Sequence, residues 1–432
     1  MLFRFSLACW TFSALLLCWS TSPCMGQSQA FPHKMPSTKP DIPLSTASQR
    51  LFEYPAPLLQ DNPLYTQFKY TPLQGLDYHD GDGTVTRRDP SRPILADGKY
   101  HIWYTKRDTV VPPIGAANAD QATDEIPSTD WDLCEIWHAT SVDGFTWEEQ
   151  AVAVPRPPKP QPGWRSVATP DILVWKGRYY LYYQAFIEPS GLKGDWCAVS
   201  VSHADSPDGP WTHTYQNVVP TGPKGTWDQD AVHDPMPIVY RGKIHIYYKA
   251  AFNKWPDERK RYAVGHGLVT SDDPLGPFQR CPLNPVLHSG HETTYFPFKD
   301  GVAALSIKDG NERSTMQWSP DGINFEIASV VDMPPVACAP FTPDAFTDTD
   351  DGRGITWGLC HFINAGTAGK RHSILARFDC DLSLDVDDPW MRGNKIWFKP
   401  EVYFSQGLNK AQRQRIEQAN AAAAASSAPS TE

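Results

Sequence analysis

Apolar and polar residues alternate in the stretch WDQDAVHDPMPIVYRGKIHIYYK, which spans positions 227–249. In its second half, Ile244, Ile246 and Tyr248 share one side and the residues between them share the other, which is the period-2 pattern of a β-strand. A glycine suited to a tight turn comes before this strand, and a shorter apolar strand comes before the glycine. The stretch therefore predicts a β-hairpin, with Asp234 just ahead of its first strand.

The same order of acid, short strand, glycine and strand occurs five times. The five pairs of acid and turn glycine are Asp89 with Gly98, Asp171 with Gly177, Asp234 with Gly242, Glu292 with Gly301, and Asp344 with Gly352. A second turn-like segment follows each hairpin, starting at Ser141, Ser206, Ser271 and Ser319, with a weaker copy at Asp379. The glycines recur about every fifty to eighty residues, the spacing of one propeller blade with a variable loop. An order kept in every copy favours an all-β, five-bladed β-propeller over a sandwich, and it predicts that the five acids converge at one mouth of the central channel.

The two ends of the chain do not follow the repeat. Residues 1–26 contain one arginine followed by an apolar run, a pattern typical of a secretory signal and too short to favour a membrane span. We therefore expect an exported protein, either periplasmic or secreted. The propeller is predicted at 84–402, and residues 403–432 are predicted as a helix start followed by a disordered tail.

A linker and helical arm is predicted between the signal and the propeller, over residues 27–70. Ser45 is a suitable N-cap, and the helix should continue to about Glu53. A second short helix is predicted over 62–68. An arm of this kind needs a surface to cover, which is either its own propeller or a neighbouring subunit.

Composition narrows the class of partner. The formal charge of the 432 residues is −10 and no dense basic cluster occurs, which argues against nucleic acid as a partner. Aromatic residues form 12% of the chain, with 16 tryptophans, which suits propeller packing and also stacking on sugar rings. The six cysteines after position 100 show no CxxC spacing, so we expect buried thiols and assign no disulfide pair.

Several carboxylates around one pocket suit glycoside hydrolysis, in which one group activates water and another protonates the leaving oxygen. Two alternatives stay open from the residues alone: a Ca²⁺ site, and a binding protein whose acids accept hydrogen bonds from sugar hydroxyls. The sequence contains no GxSxG, HExxH or GxxxxGK[ST] motif. His291 lies beside Glu292 at the entrance of a predicted blade, where an imidazole could act as a general acid.

These motifs together resemble glycoside hydrolase family 117 over nearly the whole mature chain. The segments that carry the resemblance are TVTRRDPS with Asp89, ATPD with Thr169 and Asp171, HDPMP with Asp234, SGHE at 289–292, and the SxAxxR motif of Ser45, Ala47 and Arg50. The resemblance implies a five-bladed propeller and an exo-acting α-1,3-(3,6-anhydro)-L-galactosidase. Such an enzyme removes 3,6-anhydro-L-galactose from the non-reducing end of neoagarobiose and related agar oligosaccharides, with inversion.

The resemblance also implies roles for individual residues. Asp89 would be the general base and His291 the general acid, while Asp234 and Glu292 would orient these groups and hold sugar hydroxyls. The sugar would contact Thr169, Asp171, Gln184 and Trp131. The arm motif implies a domain-swapped homodimer. No cofactor is expected to be required, although a structural divalent cation near the channel mouth is compatible with the family.

Two rival functions stay open beside this one. Related five-bladed families cleave arabinans, xylans or fructans with a glutamate as acid, so Glu292 is the rival acid. A non-catalytic carbohydrate-binding propeller would use the same acids only as hydrogen-bond acceptors.

Overall fold

The computed structural model describes residues 30–53, 64–192, 195–253, 262–348, 351–365 and 369–386, with the single positions 414, 418 and 421. The predicted signal at 1–26 lies outside these residues, as does almost all of the predicted tail at 403–432. None of the helices in the described ranges is long and apolar enough to cross a bilayer.

The predicted arm contains one short helix, α1, at Thr46–Arg50. The Ser45 hydroxyl caps it as predicted, since it accepts a hydrogen bond from the Ser48 N–H at 3.1 Å. The helix ends about three residues earlier than expected. The second predicted helix is wrong over residues 64–68, which are not helical. The Thr66 hydroxyl accepts a hydrogen bond from the Asp381 N–H, and this contact ties the segment along the last strand.

Strand β1, at Lys69–Pro72, follows this segment, and a 3-10 turn at His79–Gly81 leads to the first sheet. The antiparallel strands of the first sheet are β2 (Val85–Pro90), β3 (Ile94–Ala96), β4 (Lys99–Asp108), β5 (Glu135–Ser141) and β6 (Glu148–Val154). Both β2 and β3 pair with β4. The long loop between β4 and β5 contains a second 3-10 segment, Ala116–Gln121.

The second and third sheets each contain four antiparallel strands in sequence order. The second sheet comprises β7 (Ser166–Trp175), β8 (Arg178–Phe186), β9 (Cys197–Ala204) and β10 (Thr212–Val219). The third comprises β11 (His233–Tyr240), β12 (Lys243–Asn253), β13 (Tyr262–Ser271) and β14 (Gln279–Arg280).

The fourth sheet contains eight strands in two groups. One group is β15 (Thr294–Lys299), β16 (Gly301–Ser306), β17 (Thr315–Ser319) and β18 (Glu326–Val330). The other is β19 (Ala339–Pro340), β20 (Gly352–Ala365), β21 (His372–Ser383) and the N-terminal strand β1. Within the part of the chain that the structure describes, two residue pairs join the groups: Phe298 with Arg353 and Lys299 with Gly352. The predicted boundary at residue 70 therefore falls inside β1, which belongs to the last group of strands.

The leading strands of these groups contact one another in order. β2 lies against β7, β7 against β11, β11 against β15 and β15 against β20, while β20 and β21 return to β2. The described chain is nearly all β, as predicted, and these contacts bring β2, β7, β11, β15 and β20 around one central region.

The hairpin of β11 and β12 packs on both faces. Ile244, Ile246 and Tyr248 are fully buried against side chains of the second sheet. On the opposite face, Tyr247 stacks on Tyr295 of β15, with ring centroids 3.9 Å apart. Burying one such side chain stabilises a fold by roughly 1.5–3 kcal/mol, so this two-sided packing fixes the register of β12. Lys249, farther along the same strand, lines the cavity of the candidate site.

The six cysteines of the described residues are free thiols, and five of them are buried. Burial raises the pKa of Cys360 and of Cys338, so both stay protonated at neutral pH. This agrees with the expectation of buried thiols.

Candidate functional site

A cavity of about 1100 Å³ lies where β2, β7, β11 and the segment before β15 come together. Four of its residues come from successive groups of strands: Asp89 from β2, Thr169 from β7, Asp234 from β11, and Glu292 from the loop before β15. Loops after β4, β8 and β20 supply part of the wall, with residues 112–113, 115–116, 128–131, 195–196, 369 and 371. Residues 372–373, at the start of β21, also line it.

The backbone has the same unusual conformation at each of these four residues. Asp89, Thr169, Asp234 and Glu292 have φ values of 45°, 49°, 48° and 61°, in the left-handed region that non-glycine residues seldom adopt. In the first three cases the register to the neighbouring strand shifts at this position. A bulge of this kind turns one side chain out of the sheet alternation and towards the axis, and such strain is typical of functional sites.

Asp89 is held by three neighbours. Arg88 Nε donates to its Oδ2 at 2.7 Å, and the Thr169 hydroxyl donates to the same oxygen at 3.2 Å. His361 Nδ1 lies 3.1 Å from Oδ1. Burial alone would raise the pKa of Asp89, but the charge of Arg88 and the contact with His361 outweigh it, so the pKa lies well below its ordinary value. Asp89 is therefore an ionised carboxylate at neutral pH.

Glu292 is the next acid around the site. Its Oε2 accepts a hydrogen bond from the Ala337 N–H at 3.1 Å, and its Oε1 lies 3.7 Å from Arg88 Nη2. The Glu292 side chain is only 8% exposed. Arg88 thus bridges Glu292 and Asp89, and its guanidinium also lies over the Trp131 ring, 4.9 Å from the centroid.

Asp234 forms a buried pair with Lys249, whose Nζ lies 2.8 Å from Oδ2. Gln184 Nε2 donates to the other carboxylate oxygen at 2.5 Å. Burial alone would raise the pKa of Asp234, but the charge of Lys249 lowers it by more. The pKa therefore lies below its ordinary value, and Asp234 is ionised. The same pairing raises the pKa of Lys249 despite the opposing effect of burial.

Two histidines beside acids line the cavity, and their environments differ. His233 is partly buried, and its Nε2 lies 2.5 Å from the Asp195 carbonyl oxygen. Burial and the Lys249 charge lower the pKa of His233 to about 4, so it is neutral at pH 7. His291 is 33% exposed, and its Nδ1 lies 2.9 Å from Asp309 Oδ2. With Nδ1–H donated to Asp309, Nε2 is the atom of His291 that can exchange a proton with a ligand.

Two of the five acids predicted to converge do not line the cavity. Asp171 is buried and accepts hydrogen bonds from the backbone N–H and the guanidinium of Arg92. Thr169 occupies the position in β7 that corresponds to Asp89, so Asp171 is a structural ion-pair partner and its predicted sugar contact is not supported. Asp344 follows the short strand β19 instead of preceding it, and its Oδ2 accepts from the Arg353 N–H at 2.6 Å.

The other predicted sugar-contacting residues do line the cavity: Thr169, Gln184 and Trp131. Four residues of the site were not predicted from the sequence: Arg88, Lys249, Asp309 and His361. Arg88 is adjacent to Asp89, and strand alternation places Lys249 opposite the buried isoleucines, so both had a signal in the sequence. His361 had none, because it reaches Asp89 only through packing of β20 against β2. Asp309 had none either, since it lies in a loop after the β15–β16 hairpin and has no motif of its own.

The arm motif contacts its own chain in this structure. Ser45 and Ser48 both donate to the Pro285 carbonyl oxygen, Ala47 is buried, and Arg50 forms an ion pair with Glu312 at 2.7 Å. These contacts lie behind the loop that carries His291.

No family model and no curated protein sequence matched the chain. Among solved structures, the chain is similar to Zg3597, a family 117 glycoside hydrolase produced by the marine bacterium Zobellia galactanivorans. The two are 70% identical with a TM-score of 0.74, and the match covers 81% of this chain and 100% of that chain. The chain belongs to glycoside hydrolase family 117.

Other solved structures are much less similar to this chain. Fructan 1-exohydrolase IIa from Cichorium intybus is 15% identical with a TM-score of 0.47, covering 74% of this chain and 58% of that chain. The catalytic domain of the GH62 α-L-arabinofuranosidase from Coprinopsis cinerea is 10% identical with a TM-score of 0.45, covering 74% and 98%. Similarity at this level supports no statement about the substrate of the family 117 chain.

Three side chains of this family 117 hydrolase could hold a metal ion near the cavity floor. Ligand atoms of Asp89, Glu292 and His361 lie within 4.8 Å of one another. The buried Nε2 of His361 has no hydrogen-bond partner among the described residues and lies 3.9 Å from Glu292 Oε2. The mixed oxygen and nitrogen donors fit a small divalent cation. Such an ion would share the two carboxylates with Arg88, which already neutralises part of their charge.

A second group of metal-ligand types, His101, His138 and Asp208, does not line the cavity. His101 Nδ1 and His138 Nε2 lie 3.0 Å apart, the ring planes differ by 8°, and the centroids are 5.2 Å apart. Those values describe nearly coplanar rings joined by an N–H···N bond. The facing nitrogens are therefore used by each other, and they do not point to a common ion.

Proposed function

We propose that this family 117 hydrolase is an exo-acting, inverting enzyme that releases 3,6-anhydro-L-galactose from the non-reducing end of neoagarobiose and related agar oligosaccharides. The proposal combines the motifs, the family membership and the geometry of the cavity. Its general base is Asp89 and its general acid is His291. Five groups of strands around one axis, closed by β1, also support a five-bladed propeller.

The difference in exposure between His291 and Glu292 carries this assignment. A general acid must come within hydrogen-bond distance of the glycosidic oxygen. The His291 side chain is 33% exposed at the cavity, whereas that of Glu292 is 8% exposed and has an oxygen bonded to the Ala337 N–H. Glu292 is better placed to orient the Arg88 guanidinium than to reach a leaving group.

The reaction then needs one displacement. A water molecule attacks the anomeric carbon, the new C–O bond forms as the glycosidic C–O bond breaks, and the water proton passes to an Asp89 carboxylate oxygen. The proton on His291 Nε2 passes to the departing galactose oxygen. Arg88 and Thr169 keep the Asp89 carboxylate in place, and Asp309 keeps the His291 ring in place.

The remaining polar groups suit sugar recognition. The carboxylate of Asp234, held by Gln184 and Lys249, can accept hydrogen bonds from ring hydroxyls, and Trp131 offers an aromatic surface at the wall. A divalent cation held by Asp89, Glu292 and His361 would supply a positive charge that fixes the two carboxylates. The displacement described above uses only the chain's own side chains.

The substrate proposal is tested by product analysis. Purified protein is incubated with neoagarobiose and, in parallel, with arabino- and xylo-oligosaccharides. We expect release of galactose and 3,6-anhydro-L-galactose from the first substrate only. Cleavage of the pentose oligomers alone would contradict the agar proposal and favour Glu292 as acid. Binding without cleavage of any substrate would favour a carbohydrate-binding protein.

We further propose that the arm exchanges between two copies to form a homodimer. A swapped arm would make with its partner the contacts that Ser45, Ala47 and Arg50 make here within one chain. Size-exclusion chromatography with light scattering should give twice the chain mass for the intact protein. After deletion of residues 27–68 it should give the mass of a single shortened chain. A single-chain mass for the intact protein would rule out the swap.

A further inference from the structure

The N-terminal arm lies directly behind the turn that carries His291. Ser48, on α1, has its hydroxyl 2.7 Å from His288 Nε2. His288 is buried, and its ring packs against Phe31 and Phe252, each with a centroid separation of 5.2 Å. The arm thus fixes the first residue of the sequence His288-Ser289-Gly290-His291.

Arg50 makes a second connection through the loop between β16 and β17. Its Nε and Nη2 donate to the two carboxylate oxygens of Glu312 at 2.7 and 3.3 Å, and Nη2 also donates to Gln317. The guanidinium and the carboxylate are both at least nine-tenths buried. Because a bidentate pair restricts both position and angle, Arg50 sets the location of Glu312.

The loop that Arg50 holds also holds the ring of His291. The Glu312 N–H donates to the Ser289 hydroxyl at 2.8 Å, next to the turn glycine. Three residues before Glu312 in the same loop, Asp309 accepts the hydrogen bond from His291 Nδ1. The His291 N–H donates to the carbonyl oxygens of residues 307 and 308. The β16–β17 loop therefore supports the ring and the backbone of His291 at once.

The turn itself has little freedom to compensate for a shift. Gly290 has a φ of 95°, and a Cβ placed there would lie 2.0 Å from the Thr293 hydroxyl oxygen. Its carbonyl oxygen is bonded to His266 Nε2 at 2.8 Å. A displacement of the β16–β17 loop or of His288 would therefore move His291 instead of being absorbed by the turn.

We propose that Ser48 and Arg50 are positioning residues for the general acid. Docking of the arm places His291 through His288 on one side and through Glu312 and Asp309 on the other. This inference rests on the proposed role of His291 as acid. It extends the SxAxxR motif from a docking element to a determinant of the proton-transfer step.

The test compares two substrates with the same glycone. One is neoagarobiose, whose leaving group needs a proton, and the other is an aryl glycoside whose leaving group departs without one. For Arg50→Met we expect kcat on neoagarobiose to fall at least tenfold with little change in KM, since a misplacement of about 1 Å can cost on the order of 10²-fold. The rate on the aryl glycoside should change less than threefold. Arg50→Lys should recover part of the loss.

Milder and matched variants keep the test decisive if Arg50→Met folds poorly. Ser48→Ala removes a single hydroxyl, which contacts His288 and donates to the Pro285 carbonyl oxygen, and should show the same selective loss at smaller size. Arg377→Met removes another arginine–carboxylate pair, with Asp379 at 2.7 Å, on β21. Neither rate should fall selectively in that control.

The outcomes separate this proposal from the proposed function. If His291→Ala shows the selective loss and the Arg50 and Ser48 variants do not, the arm proposal is wrong and the acid assignment stands. If His291→Ala itself slows both substrates equally, the acid assignment is wrong and the positioning proposal falls with it. Equal slowing of both substrates in the arm variants would mark a merely structural role.

Discussion

His291→Ala is expected to lose about 10²–10⁴-fold in kcat on neoagarobiose, the typical contribution of a positioned general acid. A loss of that size corresponds to about 3–5 kcal/mol of transition-state stabilisation. The side chain is one-third exposed and does not support the core, so the fold should survive. The measurement is steady-state kinetics on protein whose thermal unfolding matches the wild type.

Two comparisons make the His291 result specific. Added imidazole should restore part of the activity of His291→Ala, because the vacated space can admit a free proton donor. Glu292→Gln keeps the shape of the rival acid and removes its charge. If Glu292→Gln loses activity only on substrates with poor leaving groups while His291→Ala stays near normal, the acid role belongs to Glu292.

Asp89→Asn is the second large effect, with turnover expected to fall by at least about 10²-fold because an amide cannot take the water proton. The amide has nearly the size of the carboxylate, and it leaves Arg88 with Asp130 and Glu292, each 3.7 Å away. We therefore expect a stability loss of about 1–3 kcal/mol and a folded protein. A normal rate for this variant would refute the assignment of Asp89 as base.

The depressed pKa of Asp89 gives this prediction a pH dependence. A carboxylate whose pKa is lower in the folded than in the unfolded chain stabilises the fold above the unfolded value of about 3.9, and that contribution is lost as pH falls through the folded value. The base therefore stays ionised while the protein is folded. Between pH 4 and 7, any decline of the wild-type kcat/KM on acidification should not report on Asp89.

The strand pattern predicted from the sequence is the most accurate part of the interpretation. Period-2 alternation correctly separated the two faces of β12, and the acid-to-glycine order correctly identified most of the hairpins. Local chemistry also placed Asp89, Asp234 and Glu292 at one cavity. These features follow from short-range spacing, since a bulge and a turn are encoded within a few residues.

The errors come from contacts between distant segments. Asp171 was counted as a converging acid, although the Pro after Asp89, Thr169 and Asp234 gives the better alignment and identifies Thr169 as the equivalent residue. Asp344 is at the expected distance from a glycine, but it follows the short strand β19 instead of preceding it. His361 had no local signal, because the packing of β20 against β2, which lies in another sheet, brings its ring to Asp89.

The predicted fifth turn at Asp379 is wrong, because Asp379 lies inside β21, and the difference from the other copies has a physical explanation. In the other groups of strands, the outermost strand follows the third along the chain and needs a turn. In the last group, β1 pairs with β21 over the register Lys69 with Asp379 to Pro72 with Ala376, so no turn is required there. A strand contributed from about three hundred residues away has no counterpart in a local repeat.

This pairing has a consequence for how the chain reaches its final state. β1 precedes β21 by about three hundred residues, so β1 stays without its partner during synthesis until β21 has been made and the two strands meet. Unpaired strand edges are templates for association with other chains, and contacts of such large sequence separation form slowly. The interval before closure is therefore the period in which this enzyme is most exposed to aggregation and most in need of chaperones.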